Sequence, residues 1–422
     1  MPSNVMQHFK KLCEIPHCSY ESQEMKAYLI AQSQSFGYEV SVDAVGNILA
    51  TKEGSKVTLQ SHYDMVCINT TFPLDLYEER GWLYAKGSTL GADNGIGMAM
   101  MLQQMQEGAM VDCLFTADEE VGLLGARGLA LQLKTPYLLN LDSEDEGDVT
   151  IGCAGGVDIM ATLPLVRERK RLHVYRCVID GLPGGHSGVD IDKGIPNAIS
   201  IVFETLSNAQ VNLITVEGGE RRNSIPKRAE VLFGVEDLLN HEGYEYLGEQ
   251  EVSIMAESAH IISTLKAFET GVRERSSLLD MVQTSINLAL VSSDDETLRV
   301  QLSGRSMDRD DLIALERETT SFFEKKGFSV QCEGFYAPWR PEENAFTDLV
   351  LQESQKIFEE SQISAIHAGL ECGIIKEKNT MMKMASIGPN IAYPHSSREC
   401  VELASVARVE QLLHHILERV DA

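Results

Sequence analysis

The order of apolar and polar segments predicts an α/β fold in about the first 155 residues. Residues 3–13 and 22–35 have helical patterns, and β-rich runs follow at YEVSV, NILAT and VTLQS. After the glycine-bounded segment GSTLGADNGIG, a helix continues from Met98 to Met105. The next segments are a strand (DCLFTAD), a helix (VGLLGARGLALQL) and a strand (YLLNLD). This alternation predicts an α/β layer with a largely parallel sheet.

The pattern changes near GCAGGVDIM, which we interpret as a domain boundary. From about 159 to 339 the strands VYRCVIDGL, AEVLFGV and LRVQLSG are combined with helices at PNAISIVFETLSNAQ and 308–326, which is typical of an α+β domain. The chain then returns to helix, to the strand MKMASIGP and to a final helix from Ala404 to Val420. We therefore predict one α/β domain (1–158 and 340–422) interrupted by an inserted domain (159–339).

The amino-acid composition limits the kinds of partner that the protein is expected to bind. The 422 residues carry a net charge of -27, from 36 basic and 63 acidic residues, which argues against nucleic acid or an anionic membrane. No run approaches the roughly 18 apolar residues of a membrane helix, and the N-terminus shows no export signal. The nine scattered cysteines are expected to be mostly reduced and buried. We expect a cytoplasmic protein.

Two adjacent glutamates, Glu119 and Glu120, end the apolar run DCLFTAD. Neighbouring side chains point in different directions, so one carboxylate can bind a metal ion while the other moves protons. Adjacent acids alone are more often a solvated surface.

Five further residues have the chemistry of a metal site: His62, Asp64, Asp93, Asp142 and His395. All of them except His395 have an ordinary alternative. The H-x-D pattern is common by chance, an aspartate in GADNGIG suits a helix cap, and SEDEGD after a strand suits a solvated loop.

Together the residues favour a metal site, because ligands gather beyond the carboxyl ends of strands in open α/β sheets. Histidine and carboxylate ligands suit divalent ions, with zinc the first choice and cobalt or manganese as alternatives. Two dications carry four positive charges, and the carboxylates of Asp93, Glu120 and Asp142 leave a balance of about one, which suits activation of water or of a carbonyl. That balance leaves Glu119 as an uncoordinated base.

The chain resembles the M20 metallopeptidase family in the motifs His62-Tyr63-Asp64, GADNGIG, Asp118-Glu119-Glu120, Asp142 and the PHS of His395. The phrases TLGADNGIGMAM, EEVGLLGARGL, LLNLDSEDEG, GCAGG, GGHSGVDI and IGPNIAYPHS are similar to its aminoacyl-histidine dipeptidase branch. These motifs cover both ends of the chain and the insert. One departure is Ser61, where this branch more often has glycine.

The resemblance implies a zinc-exopeptidase-like catalytic domain interrupted by an α+β lid, through which members often dimerise. It implies that Asp93 bridges two ions, that His62 and Asp142 complete one site, and that Glu120 and His395 complete the other. Asp64 would orient His62, and Glu119 would be the general base and acid. The Asp93–Asn94 peptide is expected to be cis.

In the lid, the resemblance implies that His186 stabilises the oxyanion and that Asn223 and Arg305 hold the substrate's terminal carboxylate. Gly369 would let substrate approach the backbone closely. A glycine-rich turn and a surface arginine are the ordinary alternatives for His186 and Arg305. For His367 we expect core packing. The segment YAPWR (336–340) is interpreted as the return hinge.

The resulting hypothesis is metal-assisted hydrolysis of dipeptides, of Xaa-His type or related, by a homodimer whose His186 acts within its own subunit or on the partner. The alternatives are another M20 hydrolase (a tripeptidase, an N-acyl amino acid deacylase or a carboxypeptidase), a non-catalytic metal-dependent binding protein, and an acidic protein without metal.

Overall fold

A computed structural model of the chain describes residues 4–206, 210–240, 243–277 and 281–421. Its helices are α1 (Asn4–Leu12), α2 (Gln23–Ser35), α3 (Ala92–Glu107), α4 (Leu124–Gly128), α5 (Ala198–Leu206), α6 (Ser258–Ala267), α7 (Arg309–Glu324), α8 (Ala345–Ser354), α9 (Glu371–Lys378) and α10 (Leu403–Asp421). Residue 3 of the first predicted helix and residues 207–209 of the helix predicted at 196–210 lie outside the described ranges.

The first strands along the chain are β1 (Glu39–Val42), β2 (Ile48–Thr51), β3 (Val57–His62), β4 (Leu76–Glu79), β5 (Trp82–Ala85), β6 (Val111–Thr116), β7 (Tyr137–Asn140) and β8 (Asp148–Cys153). They are followed by β9 (Gly155–Pro164), β10 (Arg167–Ile179), β11 (Gly185–His186), β12 (Asn212–Gly218), β13 (Ser224–Ile225), β14 (Ala229–Val235), β15 (Glu245–Met255), β16 (Gly271–Arg275), β17 (Val282–Ser293), β18 (Thr297–Ser306) and β19 (Ser329–Tyr336). The last strands are β20 (Gln362–Ile366), β21 (Lys383–Ser386), β22 (Ile391–Ala392) and β23 (Cys400–Glu402).

The chain divides into two compact units. The first contains Met1–Cys153, Trp339–Ala365 and Leu370–Ala422, and the second contains Ala154–Pro338 and Ile366–Gly369. The sequence placed the first boundary at 158/159, whereas β9 begins at Gly155 and pairs with β18 from that residue onward. The short segment Ile366–Gly369 belongs with the second unit, which the sequence pattern did not indicate.

The first unit is built on an eight-stranded sheet in the order β1-β2-β6-β3-β7-β21-β8-β20. The pairs β6–β3, β3–β7 and β7–β21 are parallel, while β1–β2, β2–β6 and β21–β8 are antiparallel. Every residue of β3 and β6 is buried, as expected for parallel strands covered on both faces. The predicted α/β class is confirmed, with the parallel strands at the centre of a mixed sheet.

A smaller sheet of the first unit, β22-β23-β5-β4, carries the hairpin between β22 and β23. Ala392 lies opposite Cys400 in that hairpin, so its loop contains His395. Two positions in the loop, Tyr393 and His395, have positive φ of 55°. The hairpin therefore presents His395 on a tightly turned segment.

One helix prediction is wrong over most of its length. The sequence predicted a helix through VGLLGARGLALQL (121–133), but α4 has only five residues. Three carbonyl oxygens at its end, those of Ala126, Arg127 and Leu129, accept hydrogen bonds from Lys378 Nζ. These contacts come from a residue about 250 positions away and replace the continued helical ladder. Helix α3, in contrast, begins at Ala92, before the predicted Met98.

The second unit has an antiparallel sheet in the order β15-β10-β14-β12-β17-β18-β9-β19, with β16 paired to β17. Helices α5, α6 and α7 bury their apolar faces in a core that contains Phe203, Leu265 and Phe323. A separate two-stranded pair, β11–β13, places His186 opposite Ser224. The second unit therefore has the α+β structure that the sequence predicted.

Each unit has its own hydrophobic core. In the first unit α3 is almost completely buried, and its residues Ile96, Met100 and Leu102 belong to the core. Among the residues that the structure describes, none of the helices combines the length and the apolar character that a membrane span requires.

Most of the nine cysteines are free and buried, as the sequence predicted. Seven cysteines are free, and all of these except Cys332 are buried. Cys18 and Cys67, however, form a disulfide with a Cα–Cα distance of 5.6 Å. The bond joins two segments already paired through the backbone, since Met65 N donates to His17 O. Their separation of 49 residues gave no recognisable cysteine motif.

Replacing Cys18 by serine is expected to lower the free energy of unfolding by about 2–4 kcal/mol, because the cross-link restricts a long loop of the unfolded chain. Thermal melts in non-reducing buffer measure the effect, and reductant should lower the wild-type melting temperature similarly. The control is Cys332→Ser, which alters an exposed free thiol. A Cys18→Ser protein that melts like the wild type without reductant would contradict the expectation.

Candidate metal centre

Three parallel strands deliver several of the candidate residues to one edge of the first unit's sheet. His62 is the last residue of β3 and lies opposite Thr116, the last residue of β6. The segment through Glu120 follows β6, and Asp142 follows two residues after the end of β7. Because parallel strands end at the same edge, side chains distant in sequence become neighbours there.

Asp93, in the first turn of α3, lies between two histidines. Its Oδ1 is 3.0 Å from His62 Nε2, and its Oδ2 is 3.0 Å from His395 Nε2. Each histidine also has its own carboxylate: Asp142 Oδ1 is 3.4 Å from His62 Nε2, and Glu120 Oε2 is 2.9 Å from His395 Nε2. We call the group His62, Asp93 and Asp142 one half-site and the group Asp93, Glu120 and His395 the other. The two half-sites share Asp93.

Three overlapping groups of side chains have ligand atoms within 4.8 Å of one another. Two are the half-sites just described, and the third joins Glu119 to His62 and Glu120. All groups found in the described part of the chain belong to this one centre. The structure thus brings together the five predicted ligands and Glu119.

Asp64 supports both sides of the centre. His62 Nδ1 donates to the Asp64 backbone oxygen at 2.9 Å, so Nε2 faces the other ligands. The Asp64 carboxylate accepts hydrogen bonds from Glu119 N at 2.9 Å and from Ser19 Oγ at 2.7 Å. Burial would raise the pKa of Asp64, but the His62 ring 3.6 Å away and the hydrogen bonds from Ser19 and Glu119 N hold it below its usual value. The predicted contact with His62 is therefore made mainly through the backbone.

The centre concentrates buried negative charge. Burial raises the pKa of Asp142 to about 6 and that of Glu119 well above its ordinary value. Burial would lower the pKa of His395, but hydrogen bonds and charges of Asp93 and Glu120 raise it to about 11.

One carboxylate oxygen, Glu120 Oε1, is buried without a hydrogen-bond partner among the described residues. Buried carboxylates this close are stable only when protons or cations offset their charge. Two imidazoles and several carboxylates are also ligands that divalent ions accept. The residues present therefore fit a pair of divalent ions.

Asn94 is a site residue that the sequence analysis did not single out. The Asp93–Asn94 peptide is cis, as the resemblance implies. Asn94 Nδ2 donates to Asp142 Oδ1, and its Oδ1 accepts from Gly97 N at 3.1 Å. A Cβ at position 97 would lie 2.0 Å from Asn94 Oδ1, so glycine is required there. The motif GADNGIG contained the signal, because both residues belong to it.

Glu371 was also missed. This buried residue begins α9, and its Oε2 accepts hydrogen bonds from Gln60 Nε2 at 2.6 Å and from Thr116 Oγ1. Burial raises its pKa to about 7. It ties β3 to β6 next to His62. In the motif HAGLECG the sequence analysis considered His367 and Gly369. Nothing in the local sequence indicated that Glu371 is buried.

The second unit holds the other candidates. In β11, His186 Nδ1 accepts from the backbone N–H groups of Gly188 and Val189, at 3.2 and 3.1 Å. A neutral ring therefore carries its proton on Nε2, where it is a donor. The exposed Asn223 precedes β13, and its backbone oxygen accepts from Ser187 N at 2.9 Å. The β11–β13 pair thus brings Asn223 beside the His186 segment.

Arg305 in β18 is 7% exposed and donates from Nη1 to Tyr336 Oη at 3.0 Å. Its Nε is buried without a hydrogen-bond partner in the described ranges. His367 Nε2 lies 2.8 Å from Ser285 Oγ, and burial with the charges of Arg305 and His186 lowers its pKa to about 3. These contacts agree with a packing role for His367.

Tyr336 was interpreted only as part of a hinge, yet it contacts two candidate residues. Besides Arg305, its ring faces Gly369, where an added Cβ would lie 2.9 Å from Tyr336 Cε2. Glycine has no side chain, so position 369 leaves room for the ring of Tyr336.

The sequence profile of Peptidase family M20/M25/M40 matches residues 58–419. Cytosol non-specific dipeptidase of Escherichia coli (strain K12) is 32% identical over 479 aligned positions, which cover 100% of this chain and 98% of that protein.

Solved structures show the same fold. Aminoacylhistidine dipeptidase from Vibrio alginolyticus has a TM-score of 0.82 at 31% identity, over 99% of this chain and 96% of that chain. A tripeptidase from Staphylococcus aureus, 15% identical, has a TM-score of 0.62 over 99% of this chain and 98% of that chain, and shows the fold alone.

The family match spans most of the chain, and the resemblance found in the sequence motifs is confirmed. The chain belongs to peptidase family M20/M25/M40, a family of metal-dependent peptidases.

Proposed function

We propose that the protein hydrolyses the peptide bond of dipeptides, Xaa-His dipeptides among them, at a centre that binds two divalent ions. One observation carries the proposal: Asp93 has one oxygen 3.0 Å from His62 and the other 3.0 Å from His395. The names of two relatives about 30% identical, a non-specific dipeptidase and an aminoacylhistidine dipeptidase, support a dipeptide substrate.

In this proposal His62, Asp93 and Asp142 would hold one ion, and Asp93, Glu120 and His395 would hold the other. Zinc is the first choice for these ligands, and cobalt or manganese also suits them. Bound dications lower the pKa of water and polarise a carbonyl.

Glu119 is the proposed proton carrier. Its oxygen lies within 4.8 Å of ligand atoms of His62 and Glu120, so it reaches the space beside both half-sites. Its backbone is fixed, because Glu119 N donates to Asp64 Oδ1 at 2.9 Å. If Glu119 also bound an ion, its charge would cancel the positive balance that the reaction uses. Glu119 therefore takes a proton from the attacking water and returns it to the leaving amine.

Substrate recognition is assigned to the second unit. Arg305 carries a buried Nε without a hydrogen-bond partner among the described residues, and a guanidinium pairs with carboxylate through two parallel bonds. We assign the substrate's terminal carboxylate to Arg305 and Asn223. His186, whose Nε2 is the donor nitrogen, is assigned to the oxyanion. The proposed place of Gly369 is at the backbone surface that substrate approaches.

We propose a homodimer formed through the second unit, with His186 acting within its subunit or on the partner. A cytoplasmic location agrees with the name of the Escherichia coli relative. The disulfide between Cys18 and Cys67 argues in the other direction, because disulfides are rare in the cytosol.

Replacing Glu119 by glutamine should lower kcat by about 100- to 10,000-fold, the range that general acid–base catalysis contributes. Metal content should stay at the wild-type value, because the five ligands are unchanged. Steady-state kinetics and elemental analysis of the same sample measure both. The control is Glu24→Gln on the exposed side of α2. If Glu119→Gln turned over substrate at the wild-type rate, the assigned role would be refuted. If the wild-type protein bound metal but hydrolysed none of the substrates, a metal-dependent binding protein would be favoured.

A substrate panel tests the proposed specificity class. The protein, with metal added back, is assayed on Xaa-His dipeptides, other dipeptides, tripeptides, N-acyl amino acids and longer peptides. Dipeptides should have the highest kcat/KM, because two relatives about 30% identical are named dipeptidases. The terminal carboxylate assigned to Arg305 and Asn223 is also present in the other substrates of the panel, so it does not by itself favour dipeptides. Turnover of N-acyl amino acids alone would identify a deacylase, and preference for tripeptides or longer chains would identify a tripeptidase or carboxypeptidase.

A further inference from the structure

Glu399 is a buried carboxylate that none of the proposed steps uses. It directly precedes β23, is 3% exposed, and lies four residues after His395. Four consecutive backbone N–H groups donate to it: Leu90 and Gly91 to Oε2, at 2.9 and 3.1 Å, and Ala92 and Asp93 to Oε1, at 2.7 and 3.4 Å. Both of its oxygens are therefore engaged by the segment that leads into Asp93.

The start of α3 depends on an acceptor from elsewhere in the chain. The first N–H groups of a helix have no partner within the helix and are usually satisfied by a side chain at the N-cap. Here the N-cap is Gly91, in the left-handed region at φ 66°, and it has no side chain to offer. Glu399 replaces the missing cap, and a carboxylate suits the positive end of a helix.

The other end of Glu399 is connected to His395 by a turn with its own hydrogen bonds. Glu399 N donates to Ser396 O at 3.1 Å, and Ser396 Oγ donates to Tyr393 O at 2.7 Å. Arg398 N donates to Ser396 Oγ at 3.2 Å. The chain from His395 to Glu399 is thus a closed turn rather than a free loop.

Glu399 therefore joins two metal ligands from opposite ends of the sequence. Asp93 and His395 are 302 residues apart, yet His395 Nε2 and Asp93 Oδ2 are 3.0 Å apart. The carboxylate binds the backbone N–H of Asp93, while the turn fixes His395. We propose that Glu399 is a positioning residue, which sets the spacing of Asp93 and His395 and so the affinity of the half-site formed by Asp93, Glu120 and His395. The inference rests on the proposed two-ion centre.

The variant Glu399→Gln tests this role. Its amide nitrogen would replace one carboxylate oxygen, and it cannot accept hydrogen bonds from the two backbone N–H groups that now donate to that oxygen. Ion affinities are measured by competition with a chromophoric chelator, and the cobalt-substituted protein is followed by its visible absorption. We expect the affinity of one ion to fall by about 10- to 100-fold, as for other outer-shell partners of ligands, with a changed cobalt spectrum. The second ion should be affected less.

A matched control separates positioning from stability. Asn344 caps α8 by accepting from the backbone N–H groups of Phe346 and Thr347, and its contacts involve no ligand of the centre. Asn344→Ala should lower the melting temperature and leave both ion affinities unchanged. Glu399→Gln could instead lower the melting temperature in the same way and leave both ion affinities within about twofold of the wild type. A change that small is well below the range seen for residues that hold metal ligands, and it would show that the positioning role is wrong.

A second variant covers the case in which Glu399→Gln does not fold. Glu399→Asp keeps both acceptor oxygens but shortens their reach, so the weakened ion should bind less tightly than in the wild type, with an altered cobalt spectrum. Wild-type affinity and spectrum in this variant would overturn the proposal. Failure of the two-ion centre itself is recognised separately, because the wild type would then bind fewer than two ions per chain.

Discussion

The structure of the centre depends on one carboxylate used from both sides. Asp93 presents Oδ1 to His62 and Oδ2 to His395, each at 3.0 Å. A single carboxylate satisfies this geometry only if the N-terminus of α3, the end of β3 and the loop before β23 are all held in fixed positions. Much of the first unit can be understood as the means by which these three segments are held.

Negative charge is the second constraint. Burial and neighbouring carboxylates raise the pKa of Glu119 and Asp142. Without metal ions these carboxyl groups therefore tend to hold protons, and bound cations would displace those protons. The pKa of Asp64, in contrast, is kept low by the neighbouring His62 ring and by hydrogen bonds from Ser19 and a backbone N–H. The same carboxylate fixes the backbone of Glu119, so positioning and charge are managed by one residue.

The sequence predicted the parts of the centre that depend on local pattern. His62 and the Glu119–Glu120 pair were recognised because each follows an apolar strand, and parallel strands deliver their carboxyl ends to one edge. What it missed depends on distant contacts. Glu399 and Glu371 are acids whose burial follows from partners hundreds of residues away. Lys378 ends α4 against a helical pattern, and Cys18 meets Cys67 across 49 residues. Neither contact leaves a periodic signal in the chain.

The most direct test of the shared carboxylate is the metal stoichiometry and affinity of Asp93→Asn compared with His395→Ala. Elemental analysis after equilibrium dialysis should give two ions per wild-type chain. Asparagine keeps one oxygen but carries no charge. Asp93→Asn should therefore remove the oxygen ligand of one half-site and leave the other with a weaker, neutral oxygen, so both ions should bind less tightly. His395→Ala should weaken only one ion. An Asp93→Asn protein that loses one ion and keeps the other at wild-type affinity would contradict the account.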